Sequence, residues 1–182
     1  MKRAAFAVGL VVLVFMVSTW AQTAAPKPGP EHQKVAVFIG HWTYEGEYKA
    51  GPLTGGKFKG EYNAQMILGG FFVQGQWVEN GPGGEVKGFE TFGYDSANKN
   101  YAQSQYQDDG SVGAGVFIVN GNTWNYLGKM DAGGNEYRWR MAIVFAADLM
   151  SYALKGDISM DGSTWTPLYE AKYIKATPAP KK

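Results

Sequence analysis

The sequence predicts an all-β fold, a single antiparallel meander barrel of about ten strands with one short N-terminal helix. The first observation is a period-two alternation of side chains that begins at Trp42, and the second is a series of glycine-containing turn signals between the alternating runs. The third is composition, because the 182 residues include 25 Gly, 6 Trp, 11 Tyr and 10 Phe but only 18% charged residues. Such a composition is typical of many short strands joined by tight turns.

The alternation assigns each strand two faces. In the first strand, Trp42, Tyr44 and Tyr48 fall on one face, while Glu45 and Glu47 fall on the other. The same pattern recurs around residues 124–130, 137–145 and 165–173. It predicts ten strands, at about 41–49, 56–67, 71–79, 85–94, 100–107, 112–119, 123–131, 136–146, 150–160 and 164–174.

The turns between the runs indicate how the strands connect. Asn-Gly or Asp-Gly pairs at 80–81, 109–110, 120–121 and 161–162 supply the positive φ that tight hairpins require. Since no helical segment intervenes, neighbouring strands should pair antiparallel. Closing the sheet removes two exposed edges, and a barrel wider than about eight strands often encloses a cavity. Glycines within strands, at 75, 88, 113 and 115, are predicted to mark bulges and tight curvature.

Residues 1–21 have the pattern of a secretory signal peptide. Lys2 and Arg3 precede an apolar run at 4–17, and Ala21 offers a small residue for cleavage. The run is shorter than the roughly 20 residues of a membrane span. The sequence therefore predicts an exported protein, periplasmic or secreted, without a membrane span after cleavage. An outer-membrane barrel is disfavoured because the faces opposite the aromatic residues carry Glu45, Glu47 and Lys57, which suit water.

The mature chain is predicted to contain one domain. Residues 22–30 form an Ala- and Pro-rich flexible linker, 31–175 the barrel domain, and 176–182 a disordered tail. Val35, Phe38 and Ile39 lie at helical spacing and predict a short helix over 31–39 that covers one end of the barrel.

Composition excludes several kinds of chemistry. The absence of Cys excludes disulfides, thiol catalysis, iron–sulfur clusters and zinc–thiolate sites, and two His make a metal site improbable. A formal net charge of +1 gives no general attraction to nucleic acid. There is no G-x-S-x-G motif, and the glycine-rich segment 81–84 lacks the lysine and helix of a phosphate-binding loop. We therefore expect no cofactor, no metal and no nucleic-acid partner, and the oligomeric state is left open.

Nine residues are candidates for ligand binding. Four are aromatic residues that would line the interior, namely Trp42, Tyr44, Phe92 and Trp124; three are polar anchors, namely Glu90, Gln103 and Gln105; and two are Arg138 and Arg140. The two glutamines could instead lie on an exposed strand face. If Tyr137 and Trp139 face inward the arginines face solvent, and if the arginines face inward their guanidinium groups would bind a carboxylate or phosphate headgroup.

Three motifs carry a resemblance to known barrels. Gly40-His41-Trp42 after a short helix is similar to the opening motif of lipocalins, in which the Trp lies under the closed end and a basic side chain packs on it. Here Lys172 or Lys175 would take that place. Over residues 31–175 the chain resembles a bacterial family of exported lipocalin-like (calycin-type) barrels, domain-of-unknown-function family 1579. The features that carry this resemblance are the opening motif with Glu45 and Glu47, the segment Phe92-Gly93-Tyr94-Asp95 and the run Ser159-x-Asp161-Gly162-x-x-Trp165. That resemblance implies a fold and little about function.

The layout is also similar to nitrobindin-type ten-stranded barrels, which hold haem through a histidine. No His follows His41 in this sequence, so a haem site of that kind is not expected.

The function expected from the sequence is binding of a small apolar or amphipathic molecule in an aromatic-lined cavity. One alternative is an interaction module that acts through its surface, with a barrel interior filled by side chains. A less favoured alternative is an enzyme that uses Glu45, Glu47 or Glu90 as carboxylates at the barrel mouth.

Overall fold

The computed structural model describes residues 26–51 and 54–176. The predicted signal peptide at 1–21, the start of the predicted linker at 22–25 and residues 177–182 of the predicted tail lie outside the described residues.

A short helical segment precedes the first strand. The α-helix α1 spans Pro30–Lys34 and continues into a 3-10 turn at Val35–Phe38. Proline suits the first helical position because its missing N–H would have no partner there. Val35 and Phe38 are buried, which confirms the apolar stripe predicted for this segment. A third helical segment, a 3-10 turn, spans Leu68–Gly70. None of the three described helical segments combines the length and the hydrophobicity of a membrane-crossing helix.

His32 on α1 contacts the barrel. Its ring packs edge-on against Phe71 and Tyr94, with centroid distances of 4.9 and 5.6 Å, and Nδ1 accepts a hydrogen bond from the Gly29 N–H. His32 therefore helps to dock α1 on the barrel.

Ten β-strands follow the helix, and all ten predicted strands are confirmed. Their bounds are β1 Gly40–Tyr48, β2 Gly56–Ile67, β3 Phe72–Gly81, β4 Gly84–Asp95, β5 Asn100–Gln107, β6 Val112–Asn120, β7 Thr123–Ala132, β8 Asn135–Phe145, β9 Ser151–Ser159 and β10 Thr166–Lys175.

The strands form one closed antiparallel barrel in sequence order. Each strand pairs with its neighbours along the chain, and β1 pairs with β10 from Trp42↔Lys175 to Tyr48↔Tyr169. The predicted all-β meander is therefore confirmed, and closure leaves no unpaired strand edge within the barrel.

The strand glycines do not mark bulges, contrary to the prediction. Pairing runs without interruption through Gly75, Gly88, Gly113 and Gly115, and the register shift recorded between described strands lies at Pro167–Tyr169. These glycines face inward beneath large side chains: a Cβ on Gly75 would overlap the Tyr62 ring. Their function is to make room for interior side chains.

The end of the barrel next to α1 is tightly packed. The Phe38 ring lies 5.0 Å from Phe92 and from Trp124, both edge-on, and the Phe38 carbonyl accepts a 2.8 Å hydrogen bond from Trp42 Nε1. Lys175 Nζ lies 5.0 Å from the centre of the Trp42 ring. Of the two lysines predicted for this place, Lys175 therefore packs on the tryptophan. The helical segment closes this end, as expected.

Candidate functional site

The barrel encloses a cavity of about 280 Å³. Phe38 and Phe92 bound it toward the closed end, and Gln107, Asp109 and Ala132 line it toward the opposite end, which we call the mouth. The interior is therefore not completely filled by side chains.

Aromatic rings form most of the cavity wall because the inward positions of successive strands carry them. Besides Phe38 and Phe92 the lining rings are Tyr44, Tyr48, Phe58, Tyr62, Trp77, Phe117, Tyr137, Trp139, Tyr152, Tyr169 and Tyr173. Some of them stack on each other, with Tyr173 parallel to both Tyr44 and Tyr152 at centroid distances of 4.4 Å. Such a wall gives an apolar ligand a large area for burial.

Burial keeps the interior phenols protonated. The pKa values of Tyr62, Tyr152, Tyr169 and Tyr173 are raised well above their ordinary value of 10.0, chiefly because the ionised form would lose its hydration. These hydroxyl groups are therefore neutral and can donate or accept hydrogen bonds at physiological pH.

Glu90 on β4 is the centre of a polar network inside this wall. Its Oε1 accepts a hydrogen bond from the Tyr62 hydroxyl at 2.8 Å, and its Oε2 accepts one from Gln103 Nε2 at 2.6 Å. Gln103 Nε2 also lies 3.2 Å from Gln105 Oε1, which links the three side chains. Burial raises the pKa of Glu90 above 4.5, although its two hydrogen bonds act in the opposite direction.

A second carboxyl group, Glu79 on β3, lines the cavity nearer the mouth. Its Oε1 accepts a 2.5 Å hydrogen bond from the Tyr48 hydroxyl. Burial raises its pKa above 4.5, opposed by hydrogen bonds from Tyr48 and Tyr44. Besides Asp109 at the mouth, the cavity therefore contains two interior carboxyl groups, each of which accepts a hydrogen bond from a tyrosine hydroxyl.

Buried polar atoms without a protein partner are also present at the site. Gln105 is only 4% exposed and lines the cavity, yet its Nε2 has no hydrogen-bond acceptor. The same is true of Trp139 Nε1, another cavity residue. Unsatisfied buried donors are uncommon in native proteins, and here they lie where a bound molecule would meet them.

The structure brings five of the nine predicted site residues together. Tyr44, Glu90, Phe92 and Gln105 line the cavity, and Gln103 is buried against Glu90. The alternative of an exposed strand face is therefore wrong for both glutamines.

The other four predicted residues lie elsewhere. Trp42 and Trp124 are buried in the packing of the closed end and do not line the cavity. Arg138 and Arg140 lie on the outer face, where the Arg140 Nε forms a 2.7 Å ion pair with Asp157 and its guanidinium carbon lies 4.5 Å from the centre of the Trp165 ring. The outward alternative is thus the one observed, because the rings of Tyr137 and Trp139 occupy the interior.

Sequence reasoning missed Glu79, Tyr48, Tyr62 and Trp139 as cavity residues. The signal was available for Glu79, since Val73, Gly75, Trp77 and Glu79 alternate along β3 and share its inward face. An acidic residue at an inward-facing position of an otherwise apolar strand face indicates a polar group in the interior.

The remaining carboxylates named as candidates do not join the site. Glu45 and Glu47 are on the outer face of β1, so of the three proposed mouth carboxylates only Glu90 is interior. Among residues 26–51 and 54–176, no group of three or more His, Cys, Asp or Glu side chains is placed to hold a metal ion.

Barrel closure, the capping helix and the interior cavity define a lipocalin-like β-barrel. The chain belongs to the family described as protein of unknown function (DUF1579), whose model matches residues 27–175. No curated protein matches the chain.

Two solved structures are similar in fold. The crystal structure of Rv2717c from M. tuberculosis has a TM-score of 0.59 and 10% identity, covering 82% of this chain and 99% of that one. The S-type phycobiliprotein lyase CPES from Guillardia theta has a TM-score of 0.55 and 8% identity, with the same coverage of 82% and 99%. At these identities the likeness concerns the fold.

Proposed function

We propose that this protein is an exported barrel that binds a small apolar or amphipathic molecule in its aromatic-lined cavity. The observation that carries the proposal is the cavity of about 280 Å³ whose wall combines many rings with unpartnered buried donors on Gln105 and Trp139. This volume is near the lower end of the roughly 300–1,000 Å³ typical of small-molecule sites, which favours a compact ligand. Export is supported by the signal-peptide pattern of residues 1–21.

One of the structures with a similar fold is named a phycobiliprotein lyase. The argument for binding here depends on this chain's own cavity, because a shared fold does not determine function.

The test uses N-phenyl-1-naphthylamine, a neutral dye that fluoresces in apolar surroundings. We expect saturable binding to the purified protein and quenching of Trp77 and Trp139, which line the cavity. Replacing Ala132, at the mouth, by Trp should weaken binding by about tenfold or more through steric exclusion. The matched control is Ala114→Trp on the exposed face of β6, which should bind normally.

Native mass spectrometry of protein purified from its own host gives a second measurement. A co-purified small mass is expected from the proposed function. Absence of that mass, together with unsaturable dye binding that Ala132→Trp leaves unchanged, would contradict the proposal. Export is tested separately, by the N-terminal sequence and cell fraction of the mature protein, which should begin after Ala21 and lie outside the cytoplasm.

A further inference from the structure

The charges inside the cavity all have one sign. Glu79 and Glu90 line its interior and Asp109 lines its mouth, and no Lys, Arg or His lines it among the residues that the structure describes. The recorded partners of the two interior carboxyl groups are neutral: Tyr48 and Tyr44 for Glu79, and Tyr62 and Gln103 for Glu90. A carboxylate in this cavity therefore has no protein counter-charge.

Both carboxyl groups can accept further hydrogen bonds. A carboxylate offers about four lone-pair positions on its two oxygens, and the bonds recorded here use one on each oxygen of Glu90 and two on Glu79, from Tyr48 and Tyr44. A donor on a ligand can therefore bind either group without displacing tyrosine or glutamine.

The aromatic wall, like the two glutamates, favours a positively charged ligand. The face of an aromatic ring carries negative charge, so a cation over it is attracted, most strongly by Trp and next by Tyr. Trp77, Trp139 and several tyrosines line the cavity beside the two glutamates.

An independent observation indicates that a ligand is part of this site. The Gln105 side chain is 96% buried, being 4% exposed, and its Nε2 has no partner although it belongs to the network around Glu90. The cavity also has an unpartnered donor in Trp139 Nε1. An acceptor atom on a bound molecule would satisfy these donors.

We propose that the cavity selects a small organic cation, with Glu79 and Glu90 as its counter-charges and the tryptophan and tyrosine rings against its apolar body. The inference rests on the proposed function, since a barrel that binds no small molecule binds no cation. A fatty acid or another carboxylate is disfavoured because it would face two carboxyl groups without a basic partner. Desolvation already raises the pKa of both glutamates, and a cation would replace part of the lost hydration.

Three probes of nearly equal size separate the effect of ligand charge on affinity from the effect of ligand shape. Benzyltrimethylammonium is a permanent cation, neopentylbenzene is its uncharged carbon isostere, and phenylacetate is an anion. Each is measured by displacement of N-phenyl-1-naphthylamine and by tryptophan fluorescence near neutral pH. We expect the cation to bind about tenfold or more tighter than the uncharged isostere, from combined Coulombic and cation–π attraction, and phenylacetate to bind most weakly.

Isosteric variants test the assigned residues. Glu79→Gln combined with Glu90→Gln should abolish the preference for the cation over neopentylbenzene, and urea unfolding reports whether the variant is folded. Glu85→Gln is the matched control, since Glu85 is an exposed β4 residue paired with Lys87. It should keep the full preference.

Each outcome decides between the two proposals. Equal affinity for cation and isostere, tighter binding of phenylacetate, or a preference that survives the double substitution would overturn the cation assignment and leave small-molecule binding in place. Failure of all three probes and of the dye would overturn the proposed function itself. The probe series on the unsubstituted protein decides the matter even if the double variant does not fold.

Discussion

At the scale of single residues, strand alternation separates two sets of side chains but does not identify the inward set. Around residues 137–141 both sets are bulky, and either could have filled the interior. The structure places Trp139 inside, where its ring packs 5.4 Å from Tyr126, and Arg140 outside beside Asp157. Packing against rings on other strands made this choice, which is why the two arginines could not be assigned from the sequence.

Arg140→Ala tests the outer position of this side chain. The change removes an exposed ion pair and a stacking contact with Trp165, so the free energy of unfolding should fall by about 1 kcal/mol. Urea unfolding measures the change. Dye affinity should not change, because Arg140 does not line the cavity; a large loss of affinity in a folded variant would contradict the structure.

The closing family motif has a structural role at this scale. Asp161 Oδ1 accepts hydrogen bonds from the N–H groups of Ser163 and Thr164 at 2.8 Å, and Ser159 Oγ accepts one from the Gly162 N–H. These bonds hold the pKa of Asp161 well below its usual range. The motif thus stabilises the β9–β10 turn, and the ring of its last residue, Trp165, packs against the Arg140 guanidinium group.

At the scale of elements, the sequence predicted nearly the whole barrel. Each strand begins and ends within two residues of its predicted bounds, because turn signals and period-two patterning agree along the chain. The site was predicted less completely. Glu90, Gln103 and Gln105 were found as polar residues on mixed faces, whereas Glu79 was missed although it shares the inward face of β3. Its partner Tyr48 could not be read from the sequence, because the hydrogen bond joins residues 31 apart.

The interior glycines show what strand patterning leaves out. Their function depends on a ring from the adjacent strand, as with Tyr62 over Gly75 and Trp77 over Gly88. A glycine that makes room for a ring and a glycine that permits a bulge look alike in sequence. The residue paired with the glycine on the neighbouring strand distinguishes the two kinds of glycine. That pairing register is known only from the folded barrel.

Gly75→Ala tests this role. A Cβ there would overlap the Tyr62 ring and displace its hydroxyl from Glu90, so the free energy of unfolding should fall by roughly 1–3 kcal/mol, as in other overpacked interiors. Gly83→Ala is the control because nothing lies within 4 Å of its added Cβ. Its effect should stay within about 0.5 kcal/mol. Equal effects of the two changes in urea unfolding would refute the packing argument.

At the scale of the whole molecule, the two interior glutamates should make stability depend on pH. Their folded-state pKa values are raised above 4.5, so the folded protein holds more protons than the unfolded chain just above that pH. Their contribution to stability is therefore fully present below about pH 4.5 and is lost as pH rises through the raised values. The tyrosines that face them stay neutral, and groups with lowered pKa (Glu31, Asp95 and Asp161) titrate below this interval.

The measurement is the free energy of unfolding in urea across a pH series. The parent protein should lose stability with rising pH in this interval, and the double variant Glu79→Gln with Glu90→Gln should lose less. Glu85→Gln, which alters an exposed carboxylate, should follow the parent. If the double variant keeps the parent's slope, the two carboxyl groups are not the source of the dependence.

Barrel closure also fixes where the chain enters and leaves. The Ala176 N–H donates to the His41 carbonyl beside the start of β1, and Pro28 lies near Gly70 in the β2–β3 connection, so the described segment begins and ends beside the helix. The hairpins around the mouth carry neither of these two points. A ligand that enters through the mouth therefore approaches the barrel from the side opposite to Pro28 and Ala176.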